Sequence, residues 1–417
     1  MAYQITDELY LWWMGDARRP QLIGTLRLLR AGAGVSVQYD IRWLQTGFAL
    51  SEDLPLTPGE QMPLVKSTAA GAVDDARPDR WGERVIRFID KPPRLSLFEF
   101  LYFAGDRRFG ALGVSTSVTA YAPRPDDVLP RLDDINDIHE LVRRVEANEP
   151  VPEEQRRLIA PGATMGGARP KAMVEWQGAQ WVVKFAEHGE ATDAPLIEHA
   201  TLTLAAQAGI TVALTKPIAL RQGHAIAVRR FDREQVDGTE RRIHGQSALV
   251  ALRAEGTHQP GYPELAQLLR RRGPVDEGGA LAQMHELFRR MAFNILLDNT
   301  DDHEKNHVLL RDADGYLRLS PAFDMLPTGQ SLGYQQMRVG KDGHDSTLAN
   351  ALSECERFGL KRAQAQQELA KVARVCVTWQ AHFAQAGVAV RDIQLLAHSV
   401  DRVALADQRS QYAMTRG

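Results

Sequence analysis

The run Asn299-Thr300-Asp301-Asp302-His303-Glu304-Lys305-Asn306-His307-Val308-Leu309-Leu310 leads through a turn at Asp312-Ala313-Asp314-Gly315 and a strand from Tyr316 to Leu319 into Pro321-Ala322-Phe323-Asp324. It follows an apolar stripe, Leu281, Met284, Leu287, Phe288, Met291, Ile295 and Leu296, whose 3.6-residue period predicts a long helix stopping near Asp298-Asn299. The order is helix, polar loop, hairpin, and an aspartate on the exit. Phosphoryl transfer needs that inventory: a carboxylate to accept the nucleophile's proton, an Asn and a later Asp to hold magnesium against the phosphates, and a Lys to neutralise charge. Asp301 suits the first role, Asn306 and Asp324 the second, and Lys305 the third.

Upstream, the chain carries the other parts a kinase requires, in the expected order. A loop of small residues, Gly166-Gly167-Ala168, leads into Lys171 to Trp176, a turn at residues 177–179, and Trp181 to Phe185, which together read as a β-hairpin carrying Lys184. A helix is expected from Ala194 to Ala208 with Gly209 as its C-cap, and it carries Glu198, the acid type that holds such a lysine. Strand-like runs at 217–220 and 225–229 close this unit at Arg230-Phe231-Asp232-Arg233.

Further out, Leu9 to Met14, Gln21 to Leu29 and Val35 to Tyr39 read as strands of a β-rich opening, and Ser96 to Ala104 as a helix. The stretch Arg77-Pro78-Asp79-Arg80-Trp81-Gly82-Glu83 has a chemistry that spacing alone leaves opaque. Residues 144–157, rich in Glu and Pro, read as a surface connection or the start of a short helix, and helices at about 360–385 and 391–410 close the sequence. The expected division is 1–145, 146–235 and 236–417.

Composition narrows the function classes. At 417 residues the chain is long enough for two or three domains, and 44% apolar with 25% charged residues is the profile of a globular protein. Fifty basic against 53 acidic residues, a formal charge of -3, lack the positive field of a dedicated nucleic-acid binder. Two cysteines, Cys355 and Cys376, cannot build a disulfide framework. No basic n-region precedes an apolar stretch and no run of about 18 apolar residues occurs, so a cytoplasmic location without membrane association is expected.

Blander readings stand beside these. Asp301, Asp302 and Asp324 are also the residue type of solvated turns, and Lys184 and Glu198 alone would be ordinary surface charges. His303 to His307 spells HExxH, which on a helix holds zinc; here turn formers precede it and His307 opens a strand pattern, so it reads as a chance match. Trp12, Trp13, Trp43 and Trp81 read as core or interface aromatics.

The segments Gly166 to Lys171, Val228 to Arg233, Asn299 to Asn306 and Pro321 to Asp324 resemble the motifs of HipA-type serine/threonine kinases, the toxins of type II toxin-antitoxin modules. Tyr39 to Leu44 and Gly110-Ala111-Leu112 resemble that family's leading subdomain, so the likeness spans nearly the whole chain. The resemblance implies an α+β, two-lobed protein-kinase-like fold with an additional N-terminal β-rich subdomain and a helical C-terminal lobe. It implies Asp301 as catalytic base with Lys305 beside it, Asn306 and Asp324 as magnesium ligands, and Lys184 on the phosphates of ATP. It places Gly166, Gly167, Ala168, Arg169, Pro170 and Lys171 in the phosphate loop, Arg229, Arg230 and Phe231 at the hinge facing adenine, and Glu198, His303 and Phe323 among the other nucleotide-binding positions. Arg229 stands where the family often carries an acid, so a hinge contact there runs through backbone.

Thr164 stands where relatives autophosphorylate a serine. The implied cofactors are ATP and Mg2+. The implied partners are a small DNA-binding antitoxin, through which alone DNA is met, and a translation component as substrate, an aminoacyl-tRNA synthetase being the family's precedent. Two other functions remain open: a nucleotide-binding pseudokinase or co-repressor subunit working with an antitoxin, and a small-molecule kinase of the same fold. A nuclease using the same acids is an outlying alternative that has no need of Lys184.

Overall fold

The computed structural model describes residues 3–125, 128–159, 167–254, 256, 259–276 and 279–414. The class is α+β with a helical C-terminal region, and the chain divides into two compact units, Met1–His188 with Arg229–Gly256, and Gly189–Val228 with Thr257–Gly417.

The first unit opens on strands Glu8–Trp13, Gln21–Leu29 and Gly34–Tyr39, an antiparallel meander whose first strand also pairs with Leu112–Ser115. Alternation decides its faces: Leu9, Leu11, Ile23, Leu26, Val35 and Val37 point to one buried core, which Phe98 and Leu101 complete from the helix Leu97–Phe103. Ser96 caps that helix, accepting from Phe98 N at 3.2 Å. Trp12, Trp43 and Trp81 are buried, as core aromatics should be, and Trp13 packs half-buried against the first core.

Strands Lys171–Trp176 and Ala179–Lys184 are joined by the two residues Gln177 and Gly178, both at positive φ (52° and 71°), the backbone a tight hairpin turn demands. A helix at Ile135–Ala147 went unread in the sequence because its many charges dilute the stripe of Ile138, Leu141, Val142 and Val145. It ends within residues 144–157, read as a surface connection or the start of a short helix, with Asn148 left-handed after it and a short 3-10 helix at Glu153–Leu158.

One buried charge cluster fastens the return of the chain at Arg229–Gly256. The Asp232 carboxylate accepts from Gly110 N at 2.8 Å, from Arg230 Nη2 and Arg233 Nη1 at 2.6 Å each, and from Arg230 Nε at 2.9 Å. Burial pushes this carboxyl up, but the Arg230 and Arg233 guanidiniums outweigh it and hold the group at about 2. A depressed folded value means the stabilisation is present above the ordinary carboxyl pKa of about 4 and is lost as pH falls from there through about 2. Asp232→Asn strands two buried guanidiniums, and is expected to lower stability by about 3–5 kcal/mol at neutral pH. Thermal melts should show this deficit shrinking as pH falls from 5 to 2, and a pH-independent deficit would refute the pairing.

The second unit contains the helix Ala194–Gln207, capped by Asp193 and followed by Gly209 at φ +75°, and the hairpin Thr215–Ala219 with His224–Arg229. Helices Tyr262–Arg272 and Ala280–Leu296 pack together, and the latter runs into the polar loop. The two closing helices of the sequence reading are each broken: Arg362–Cys376 and Trp379–Gln385, then Val390–Val400 and Val403–Ala413. At the first break the Thr378 hydroxyl donates to the Val375 carbonyl at 2.8 Å, and the turn sends Trp379 and Phe383 inward. At the second, Asp401 is taken by Trp379 Nε1 at 3.0 Å and Gln380 Nε2 at 2.6 Å. Among the described residues no helix is long and apolar enough to cross a membrane.

Candidate active site

The helix Ala280–Leu296 ends where Asp298 turns left-handed, φ +54°, with Asn299 N donating to Asn294 O at 2.9 Å. Asp is one of the few side chains that tolerate this backbone. Asp298 then becomes a hub. Its carbonyl accepts from Thr300 N and Thr328 N, both at 3.1 Å, and from Thr328 Oγ1 at 3.0 Å; its carboxylate accepts from Ser331 N at 3.2 Å and Arg402 Nη1 at 2.5 Å. Thr300 and Thr328 hydroxyls meet at 2.7 Å. The segment before Asp301 and the segment after Asp324 are thereby fastened to one residue.

Asp301 is exposed and Asp302 fully inward. The Asp302 Oδ2 accepts from Tyr262 Oη, from Asn294 Nδ2 at 2.9 Å, and meets His307 Nε2 at 2.8 Å; Asn299 Nδ2 donates in turn to Asn294 Oδ1 at 3.0 Å. Burial alone would raise this carboxyl, but the His307 ring and the hydrogen bonds from His307 and Tyr262 hold it below the usual carboxylate range. The solvated-turn reading therefore fails for Asp302, which is the anchor of the loop. Tyr262 answers in the opposite sense: burial, then the Asp302 charge, drive its hydroxyl well above the usual value.

Between these anchors lies a 3-10 turn, Glu304–Asn306, which makes the HExxH spelling a non-helical one with its second histidine already bound to Asp302. Lys305 and His303 are half-buried there. The Asn306 side chain is buried with its Oδ1 accepting no hydrogen bond, and His303 Nδ1 is likewise unpartnered. A buried carbonyl oxygen left without a donor is costly, and a hard cation satisfies it. Among the described residues no three His, Cys, Asp or Glu side chains gather into a metal site. Magnesium asks less, one or two protein oxygens with waters and phosphates completing the shell, so Asn306 and Asp324 are a donor set of the right kind.

The exit segment is set by the long helix. Buried Arg290 donates to Ser320 O at 2.7 Å, and residues 212 and 322 pair through Ala322 N to Thr211 O at 2.8 Å and Ala213 N to Ala322 O at 2.9 Å. Phe323 is buried, and Asp324 follows at φ +57°, the same left-handed backbone as Asp298 and one that, outside glycine, gathers at functional sites.

In the first unit, Gly167 (φ +86°), Ala168, Arg169 and Pro170 lead into the hairpin, while Thr164 and Gly166 lie outside the described residues. Lys171 is buried, its Nζ 2.6 Å from Asp79 Oδ2 and 3.1 Å from Gly167 O. Lys184, its register partner across the hairpin, is also buried. Arg229 is exposed, Phe231 packs edge-on to Phe109, and the Arg230 guanidinium is spent on Asp232 and the carbonyls of Arg107 and Arg108. Glu198, in the second unit, is buried on its helix, which excludes the surface-charge reading; the same holds for Lys184. Sequence reasoning missed Asp298, Asn294, Tyr262, Arg290 and Asp79 as organisers; the only available signal was the unusual density of polar residues flanking one apolar helix.

Two family models match the chain: HipA-like C-terminal domain over residues 163–379 and HipA N-terminal domain over residues 18–115. A curated protein of Sinorhizobium fredii (strain NBRC 101917 / NGR234) named "Putative kinase Y4mE" is 30% identical over 155 residues, 34% of this chain and 34% of that protein, so the match spans about a third of the relative's length. Among solved structures, HipA from the Shewanella oneidensis MR-1 toxin-antitoxin complex of HipA, HipB and operator DNA superposes with a TM-score of 0.68 at 19% identity, covering 97% of each chain. At that identity the likeness is one of fold.

Proposed function

From the premise that the chain belongs to the HipA family, we propose that it is an ATP- and magnesium-dependent serine/threonine protein kinase with a protein-kinase-like fold, serving in the cytoplasm as the toxin of a toxin-antitoxin module. The observation that carries the reading is the buried Asn306 with its unpartnered Oδ1, five residues after an exposed Asp301 on a loop braced through Asp302. The name of the Sinorhizobium relative supports kinase chemistry, and the Shewanella complex with HipB and operator DNA supports an antitoxin that brings this chain to DNA.

In this reading Asp301 accepts the proton of the substrate hydroxyl, and Lys305 offsets charge building on the transferred phosphoryl group. Asn306 and Asp324 would hold magnesium, which when bound supplies positive charge against the phosphate oxygens. Lys184 neutralises phosphate charge, and backbone of the Gly167 loop approaches the phosphates closely.

Labelled ATP incubated with the purified protein and a cell lysate tests it. Label is expected on serine or threonine of a protein substrate, with the translation apparatus and its aminoacyl-tRNA synthetases as the first proteins to inspect, and on Thr164 of the chain itself. Label on a small molecule, or none, would overturn the protein-kinase reading. Asp324→Asn should move the magnesium titration of nucleotide binding to higher concentration, and an unchanged titration would remove Asp324 from the metal.

A further inference from the structure

The stretch Arg77 to Glu83 acquires a role in the structure. Asp79 caps the short helix Arg80–Val85, its Oδ1 accepting from Gly82 N at 2.8 Å, while its Oδ2 accepts from Lys171 Nζ at 2.6 Å across 92 residues of chain. Two residues on, the Trp81 indole Nε1 donates to the Lys171 carbonyl at 2.7 Å. Lys171 is therefore held at both its main chain and its ammonium by one N-terminal turn. The same ammonium donates to Gly167 O at 3.1 Å, so the hold passes to a residue whose φ of +86° is one that L side chains rarely adopt.

We propose that Asp79 is a positioning residue for nucleotide binding: through Lys171 it fixes the Gly167 peptide in the form that receives phosphate. The proposal rests on the nucleotide-binding reading above. A buried ammonium is costly without a counter-charge, and the 9%-exposed Asp79 side chain supplies one. With Asp79 neutralised, its carboxylate no longer opposes the pull of the phosphates on the ammonium, and the Gly167 carbonyl loses a fixed donor. A loop ordered beforehand costs less to bind than one ordered by its ligand.

Asparagine caps helices as well as aspartate does, so Asp79→Asn keeps the cap and removes only the charge. Calorimetric titration of the full chain with MgATP should show about tenfold weaker binding in Asp79→Asn, with KM rising far more than kcat falls. Lys171→Met should also weaken binding, and the double variant should bind no more weakly than Lys171→Met alone, because both changes break one contact. Asp79→Asn binding as tightly as wild type, whatever its melting temperature, overturns the proposal, as does a double variant in which the two losses multiply. Failure of the wild-type chain to bind MgATP is a different result, which removes the nucleotide reading and the proposal with it.

Discussion

Asp301→Asn protein is expected to bind MgATP as the wild type does and to transfer phosphate more slowly by about 10²-fold or more, the scale of a lost general base. The geometry behind this is the contrast between neighbours. Asp301 is exposed to solvent, and Asp302 faces inward, where it is fully committed. Because the amide keeps the shape of the carboxylate, the anchors on both sides should hold the loop unchanged. Single-turnover transfer to a lysate substrate measures the effect, with nucleotide affinity as the control. Wild-type transfer by the variant would sink the assignment. Expression without an antitoxin offers a cellular version: the wild-type chain should arrest growth and Asp301→Asn should be tolerated.

Asp302→Ala should fail differently. It leaves the donors of Tyr262 and Asn294 and the His307 ring facing a void in a fully buried site, at a cost of about 3–5 kcal/mol. For units of this size that lowers thermal unfolding by about 10 °C. Tyr262→Phe removes one donor and keeps the ring, so it should cost only about 1 kcal/mol. Equal melting temperatures for wild type and Asp302→Ala would show that the network carries no stability.

The residues of the phosphoryl-transfer inventory were legible because they are chemically specialised and nearly contiguous, and because the apolar stripe before them marks where a helix must stop. What held them in place was not. Tyr262 lies 40 residues before Asp302, Asp79 lies 92 before Lys171, and Arg402 lies 104 after Asp298, separations at which no local periodicity reports contact. Asp302 was given no role in the sequence beyond the alternative of a solvated turn, because an acid in a polar loop is normally solvated and only burial distinguishes it from Asp301. The breaks at Val377–Thr378 and Asp401–Arg402 escaped notice since the apolar residues continue on both sides; hydrogen bonds to side chains, not a change of period, end those helices.

The reach of Arg402 back to Asp298 also sets a timetable. Translation proceeds at about 5–20 residues per second, so the 104 residues separating the two take about 5–20 s to make. Once Asp324 has been made, a growing chain contains Asp301, Asn306 and Asp324 but not yet the guanidinium that pins Asp298, nor Arg409, which donates to the Leu296 carbonyl at 2.9 Å. Copies synthesised past Asp324 but short of Arg402 therefore hold Asp301, Asn306 and Asp324 in a loop that lacks both of these ties, which form only after Arg402 and Arg409 have been made.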